Sequence, residues 1–156
     1  MRLHLVAVGR RLPAWVRSGY REYARRLPPE CPLDLHEIAP GARGRGADTA
    51  RAVRTEGERM LRALPAGARV LALDERGTAW DTRELARELS GWMRDGDDLA
   101  LLVGGPDGLA QRCLDRARQR WSLSPLTLPH GLVRILVAEQ LYRAWSILAG
   151  HPYHRD

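Results

Sequence analysis

The sequence predicts one α/β domain over residues 1–156, a parallel sheet with helices on both faces. Three observations lead there. Short apolar runs alternate with segments of helical periodicity along the chain, the pattern of strand–helix–strand units. One run, Leu99–Val103, is apolar at every position, as a strand buried on both faces must be. A chain of 156 residues that is 44% hydrophobic can build one core but not two.

The elements follow in order. Leu3–Val8 is an apolar run closed by Gly9 and predicts the first strand. Pro13 to Leu27 sets Val16, Tyr20, Tyr23, Ala24 and Leu27 at helical spacing, and Pro28, Pro29 and Pro32 stop that helix. Leu33–Ile38 predicts a second strand. The stretch PGARGRG, Pro40 to Gly46, reads as a flexible basic loop before a helix carrying Val53, Met60, Leu61 and Leu64. Val70–Leu73 predicts a third strand. Asp81 and Glu84 stand three residues apart, as a capping box requires, ahead of a helix with Leu85, Leu89, Trp92 and Met93 on one face. After Leu99–Val103, a glycine-rich turn leads to a helix with Leu109, Cys113, Leu114 and Ala117 inward. Leu132–Leu148 is the clearest helical pattern, and Glu139 and Arg143 are spaced to pair across one of its turns.

Composition narrows the function. Cys31 and Cys113 lie far apart and show neither C-x-x-C nor zinc spacing, so a disulfide scaffold and a cysteine-rich metal module are excluded. No metal site is expected. The opening MRLHLVAVG lacks the build of a signal peptide, and no apolar run reaches the ~18–20 residues that span a bilayer. The expectation is a cytoplasmic protein with no membrane partner. Twenty-five basic residues against nineteen acidic ones give a net charge of +6, and every fixed positive charge is arginine. Codon bias accounts for most of that preference, since Phe and Asn are also missing. The charge itself favours a polyanionic partner such as RNA.

Three segments hold chemistry at strand ends, where open α/β sheets bind ligands. The first is LDERG, Leu73 to Gly77. The second is VGGPDG, Val103 to Gly108, which serves either as a tight turn or as a close approach for a ligand; it matches neither a Rossmann fingerprint nor a P-loop. The third, WSLSPLTLPH, Trp121 to His130, is too apolar for a solvated loop and too rich in proline for a helix or central strand. It either buries against the core or lines a pocket. The tail HPYHRD, residues 151–156, packs two imidazoles, a phenol and a guanidinium into six positions, although terminal residues commonly fray. His130 beside Pro129 reads as a structural histidine.

Taken in order, LDERGTAWDTRELA, LLVGGPDGL, WSLSPLTLPHGLVRILVAEQLYRAWSI and HPYHRD resemble the RlmH family, the SPOUT-class methyltransferases of large-subunit ribosomal RNA. LHLVAVG, PAWV and GYREYARR fit the same family's start, so the resemblance spans essentially the whole chain. It implies transfer of a methyl group from S-adenosylmethionine to N3 of a pseudouridine in large-subunit ribosomal RNA, on the assembled ribosome. It also implies a SPOUT fold with a C-terminal trefoil knot, working as a homodimer. The positions that match the family's cofactor site are Leu73, Gly104, Leu123, Ser124, Pro125, Leu126, Thr127 and Leu128. Pro125, lacking an N–H, can offer only its carbonyl and ring. In the tail, the resemblance places Tyr153 and His154 at the catalytic centre and Arg155 on RNA phosphate. The apolar surplus on Leu132–Leu148, Trp145 included, is expected to meet a second subunit.

Overall fold

The computed structural model describes residues 1–46 and 48–155; Ala47 and Asp156, the last residue of the tail motif, lie outside the described residues. The elements are β1 (Leu3–Val8), α1 (Ala14–Ala24), β2 (Leu33–Ile38), α2 (Thr49–Ala63), β3 (Arg69–Ala79), α3 (Thr82–Asp95), β4 (Leu99–Val103), α4 (Gln111–Arg116), β5 (Gln119–Ser122) and α5 (His130–Leu148). The strands form one parallel sheet in the order β2-β1-β4-β3-β5.

β1 and β4 occupy the interior of the sheet and are buried along their whole length. Their period-two alternation splits the side chains between the two apolar layers of the domain, one on each face of the sheet. Leu3, Leu5, Ala7, Leu99, Leu101 and Val103 pack with α1, α3 and α5. Val6, Val8, Ala100 and Leu102 pack with α2 and α4. Each layer also holds one fully buried free thiol, Cys31 in the first and Cys113 in the second. Burial pushes the Cys31 thiol up to about 11 and raises that of Cys113 too.

The expected strands at Leu3–Val8, Leu33–Ile38 and Leu99–Val103 are present with those bounds. The capping box also forms: Glu84 N–H donates to Asp81 Oδ1 at 2.7 Å, and Asp81 N–H to Glu84 Oε2 at 2.7 Å. Elsewhere the structure corrects the sequence. α1 ends at Ala24 rather than Leu27, because the Arg26 and Leu27 amides turn back to the carbonyls of Tyr23 and Ala24. β3 does not stop at Leu73 but runs to Ala79, with Leu73 and Thr78 both level with Trp121 of β5. Residues 74–77 leave the ladder between those two pairings. Gly77 permits the return: a Cβ there would stand 2.6 Å from the Arg120 carbonyl carbon. β5 has no counterpart in the sequence reading, since a four-residue edge strand with only Trp121 and Ser122 buried leaves no alternation to detect.

α5 packs between α1 and α3. Gly19 brings α1 close, because a Cβ at that position would stand 2.8 Å from Ile135 Cδ1. The sharpest tie is Arg134, only 2% exposed. Its Nη2 donates to the carbonyls of Gly9 at 2.8 Å and Val8 at 3.3 Å, and its Nη1 donates to Glu37 Oε2 at 2.7 Å. One guanidinium thus fastens α5 to the ends of β1 and β2. Arg134→Met keeps the apolar stem but strands two buried carbonyls. Urea unfolding should show a loss of about 2–3 kcal/mol, moderated because Glu37 can turn to solvent. An unchanged midpoint would dismiss the guanidinium as an anchor.

Candidate active site

The ladder sets Ala72 beside Leu102 and Leu73 beside Trp121. Leu73 therefore stands where β3 parts from β4, and Gly104 and Leu123 follow the last residues of the neighbouring strands β4 and β5. The three strand-end segments come together at one rim of the sheet. Leu73, Leu123, Ser124 and Leu128 are half-buried, Pro125 and Thr127 exposed, and Leu126 is 71% exposed. Two local hydrogen bonds shape this stretch: Ser122 Oγ donates to the Ser124 carbonyl at 3.3 Å, and Leu126 N–H donates to Ser124 Oγ at 2.9 Å. Residues 123–128 lie in no helix or strand. Their peptide groups are what such a rim can offer a polar ligand. The segment divides between the two: Leu123 packs against the core, while Pro125, Leu126 and Thr127 face solvent.

The glycine run behind β4 proves to be both a tight turn and part of the rim. Gly108 N–H donates to the Gly105 carbonyl at 3.1 Å, and Gly108 takes φ +79°. Gly104 is required by this turn itself. A Cβ there would lie 2.5 Å from the Gly108 carbonyl carbon, so a side chain meets the protein's own backbone before it meets any ligand.

A buried carboxylate braces that turn. Glu56, in the middle of α2 and 2% exposed, accepts from Gly41 N–H at 3.0 Å and pairs with Arg43. Arg43 Nη2 reaches Glu56 Oε2 at 3.1 Å while its Nε reaches Asp107 Oδ2 at 2.8 Å. Glu56 first, then Asp107, hold this guanidinium in its charged form. The expected flexible basic loop is thus pinned at both Gly41 and Arg43. Gly41 presses on α2 so closely that a Cβ would lie 2.5 Å from the Ala52 carbonyl oxygen.

His130 opens α5, directly after the rim segment, and its Nδ1 is buried without a hydrogen-bond partner among the described residues. Burial, then neighbouring Arg134, hold this imidazole below its ordinary value, against a weaker opposite pull from Glu56.

Residues 151–153 of the tail fold back along α5. His151 N–H donates to the Ser146 carbonyl at 2.9 Å, and Tyr153 N–H to His151 Nδ1 at 3.2 Å. Tyr153 Oη donates to Glu139 Oε1 at 2.9 Å, the same oxygen that accepts from Arg143 Nε at 2.8 Å. The Tyr153 ring lies 4.6 Å from that of Tyr142, tilted by 53°, and the Arg143 guanidinium lies 4.8 Å from its centroid. Burial and the Glu139 carboxylate push the phenol up to about 12, so it remains a donor at neutral pH. These contacts of His151 and Tyr153 go to α5, not to the rim. His154 is half-buried and Arg155 exposed. Trp145 is half-buried and stacks at 5.9 Å on Tyr142.

Glu56 and Arg134 are the residues the sequence reading missed. The signal was there: each is a charge on the inward face of an apolar helical pattern, a position that demands a buried partner.

Known proteins resemble this chain over its full length. The family model described as Predicted SPOUT methyltransferase matches residues 1–154. A protein of Alkalilimnicola ehrlichii named Ribosomal RNA large subunit methyltransferase H is 64% identical over 155 residues, covering 99% of both chains. A protein of the same name from Thioalkalivibrio sulfidiphilus is 60% identical over all of both chains. Among solved structures, a probable methyltransferase from Bordetella pertussis superposes with a TM-score of 0.60 at 19% identity, covering 92% of this chain and 95% of that one. A probable methylase family protein from Haemophilus influenzae gives 0.59 at 12% identity, covering 99% and 70% respectively.

The brace and the buried imidazole each give an expected outcome. Glu56→Gln preserves volume but removes the charge facing Arg43. Chemical denaturation should register a loss of about 1–3 kcal/mol, and an unperturbed protein would mean that the turn stands without its brace. His130 has a lowered value in the folded state, so the unfolded chain binds more protons. Stability is therefore complete above the ordinary imidazole range and falls as pH drops through about 6.5. His130→Gln should flatten that slope in thermal melts recorded from pH 7.5 to 5, and an identical slope would assign it to other groups.

Proposed function

The chain belongs to the SPOUT methyltransferase family, and from that premise we propose that it methylates N3 of a pseudouridine in large-subunit ribosomal RNA, on the assembled ribosome in the cytoplasm. Its relatives at 60–64% identity are named for methylation of that RNA. The observation that carries the reading is the meeting of Leu73, Gly104 and residues 123–128 at one rim, since these positions match the family's cofactor site. The 74–77 excursion of β3 and the loops after β4 and β5 are then the ones the family's trefoil knot would tie.

The rim fits S-adenosylmethionine. Leu73, Leu123 and Leu128 give apolar contact, the peptide groups of 123–128 give donors and acceptors, and the close-packed Gly104 turn lets a ligand approach the backbone. When bound, the cofactor supplies a methyl group already activated on a sulfonium. The protein's work is then positioning, worth up to ~7–11 kcal/mol of barrier, and removal of one proton from the target nitrogen. Tyr153, protonated at neutral pH, is fitted to donate a hydrogen bond and not to take that proton. This leaves His154 as the acceptor of the N3 proton, with Arg155 on a phosphate.

The tail lies along its own α5, so in this proposal it serves the rim of a second subunit. An apolar strip supports the homodimer. Leu132 and Leu136, one turn apart on α5, are each 38% exposed; Trp15 on the neighbouring α1 is 58% exposed; and Leu126 stands out from the rim just before α5. No helix among the described residues is long and apolar enough to cross a membrane.

Deleting Tyr153–Asp156 should leave S-adenosylmethionine affinity intact in calorimetry and cut methylation of ribosomes by at least ~10²-fold. Gly104→Val, which displaces the Gly108–Leu109 backbone, should abolish cofactor binding. Mixing the two variants should restore part of the activity, because one site then combines an intact rim with an intact tail. Full activity of the truncated chain alone would remove the tail from catalysis, and sedimentation as a monomer at micromolar concentration would remove the shared site.

A further inference from the structure

The β5 edge of the sheet borders a groove of about 510 Å³ that the cofactor rim and the tail leave unused. Arg76, Arg118 and Arg120 line it, together with Trp80 and a single carboxylate, Glu88. That carboxylate is engaged by Gln119, whose Nε2 donates to Glu88 Oε2 at 2.7 Å. Arg76 and Arg118 are exposed and form no ion pair among the described residues. Among the described residues, Arg120 pairs with Asp74 alone, at 3.7 Å. The groove therefore presents cationic charge that the protein does not use for its own stability.

Trp80 gives the groove a second chemistry. Its ring stacks on Trp121 at 5.8 Å with 26° between planes, and Trp92 supports it at 6.1 Å. Two buried indoles fix the plane of a half-buried third one that lines the groove. Guanidinium groups alternating with a rigid aromatic plane are what a single strand of nucleic acid requires. Phosphates go to the cations, and an unstacked base goes to the ring. The groove also lies in the right place. Arg76 sits in the 74–77 excursion of β3, three residues beyond Leu73 of the cofactor rim, so a strand lying in the groove leads to that rim.

We infer that this groove seats a single-stranded segment of the RNA substrate beside the target nucleotide, with Arg76, Arg118 and Arg120 on phosphates and Trp80 under a base. The inference rests on the methyltransferase reading and extends it from the reacting site to the substrate's path.

Fluorescence anisotropy with a labelled single-stranded oligouridine of about twelve nucleotides tests it, across a range of salt concentrations. The double variant Arg76→Gln/Arg118→Gln should bind roughly 10-fold more weakly at low salt. The slope of log affinity against log salt should fall by about 1.4, the value for two lost phosphate contacts on a single strand. Trp80→Leu should weaken binding by ~10-fold with the slope unchanged, and Trp80→Tyr, which keeps a stacking plane, should restore most of it. A duplex of the same length should be indifferent to both Trp80 changes. Wild-type affinity and slope in the double variant would overturn the inference, as would equal displacement of the RNA by polyglutamate. Calorimetry with S-adenosylmethionine on the same proteins keeps the two readings apart. Lack of cofactor binding by the wild type would sink the methyltransferase reading while the salt slopes still decided the groove.

Discussion

β1 and β4 are covered on both faces along their whole length, and their single polar side chain, His4, sits near the start of β1 with its ring nitrogens on His36 and Asp98. Their side chains alternate into two separate apolar layers, which fixes three helices on one face and two on the other. Polar chemistry is thereby displaced to the ends of the strands. The rim where β3 parts from β4 and where β4 and β5 end, and the charged ties at the ends of β1 and β2, are two results of this one constraint. An open parallel sheet binds ligands at its carboxyl edge for the same reason.

The ends must still be held, and here the ties are ionic. Arg134 draws α5 onto the last carbonyls of β1, and Arg43 joins the buried Glu56 to Asp107 of the glycine turn. Both ties connect elements far apart in sequence, and both place a guanidinium where several acceptors converge. The planar fork of arginine suits such geometry better than the point charge of lysine. A composition without lysine thus costs these sites nothing, whatever produced it.

How much of this was legible in the sequence depended on how loudly each element spoke in one dimension. The strands at Leu3–Val8 and Leu99–Val103 were plain, because burial on both faces writes an apolar run, broken in the first only by His4. The α3 capping box was plain because its two partners are three residues apart. β5 was silent: its partner is the excursion-bearing β3, and its place comes from Gly77 meeting the Arg120 backbone, a contact between residues 43 positions apart. The rim was legible as three odd segments, but their convergence belongs to the strand order. The tail misled in the opposite direction. Its rings look unanchored in sequence, yet Tyr142, Glu139 and Arg143 wait for them along one side of α5.

The two cysteines carry a consequence of their own. Cys31 lies in the layer beneath α1, α3 and α5, Cys113 in the layer beneath α2 and α4, and both thiols are kept protonated by burial. A disulfide reagent in solvent can react with either one only while its layer is open. Each thiol is therefore a clock for one side of the sheet. Equal labelling rates would mean that the two layers part together, as one cooperative unit. A faster Cys113 would mean that the thinner side, held by α2 and the six-residue α4, breathes while the other remains shut.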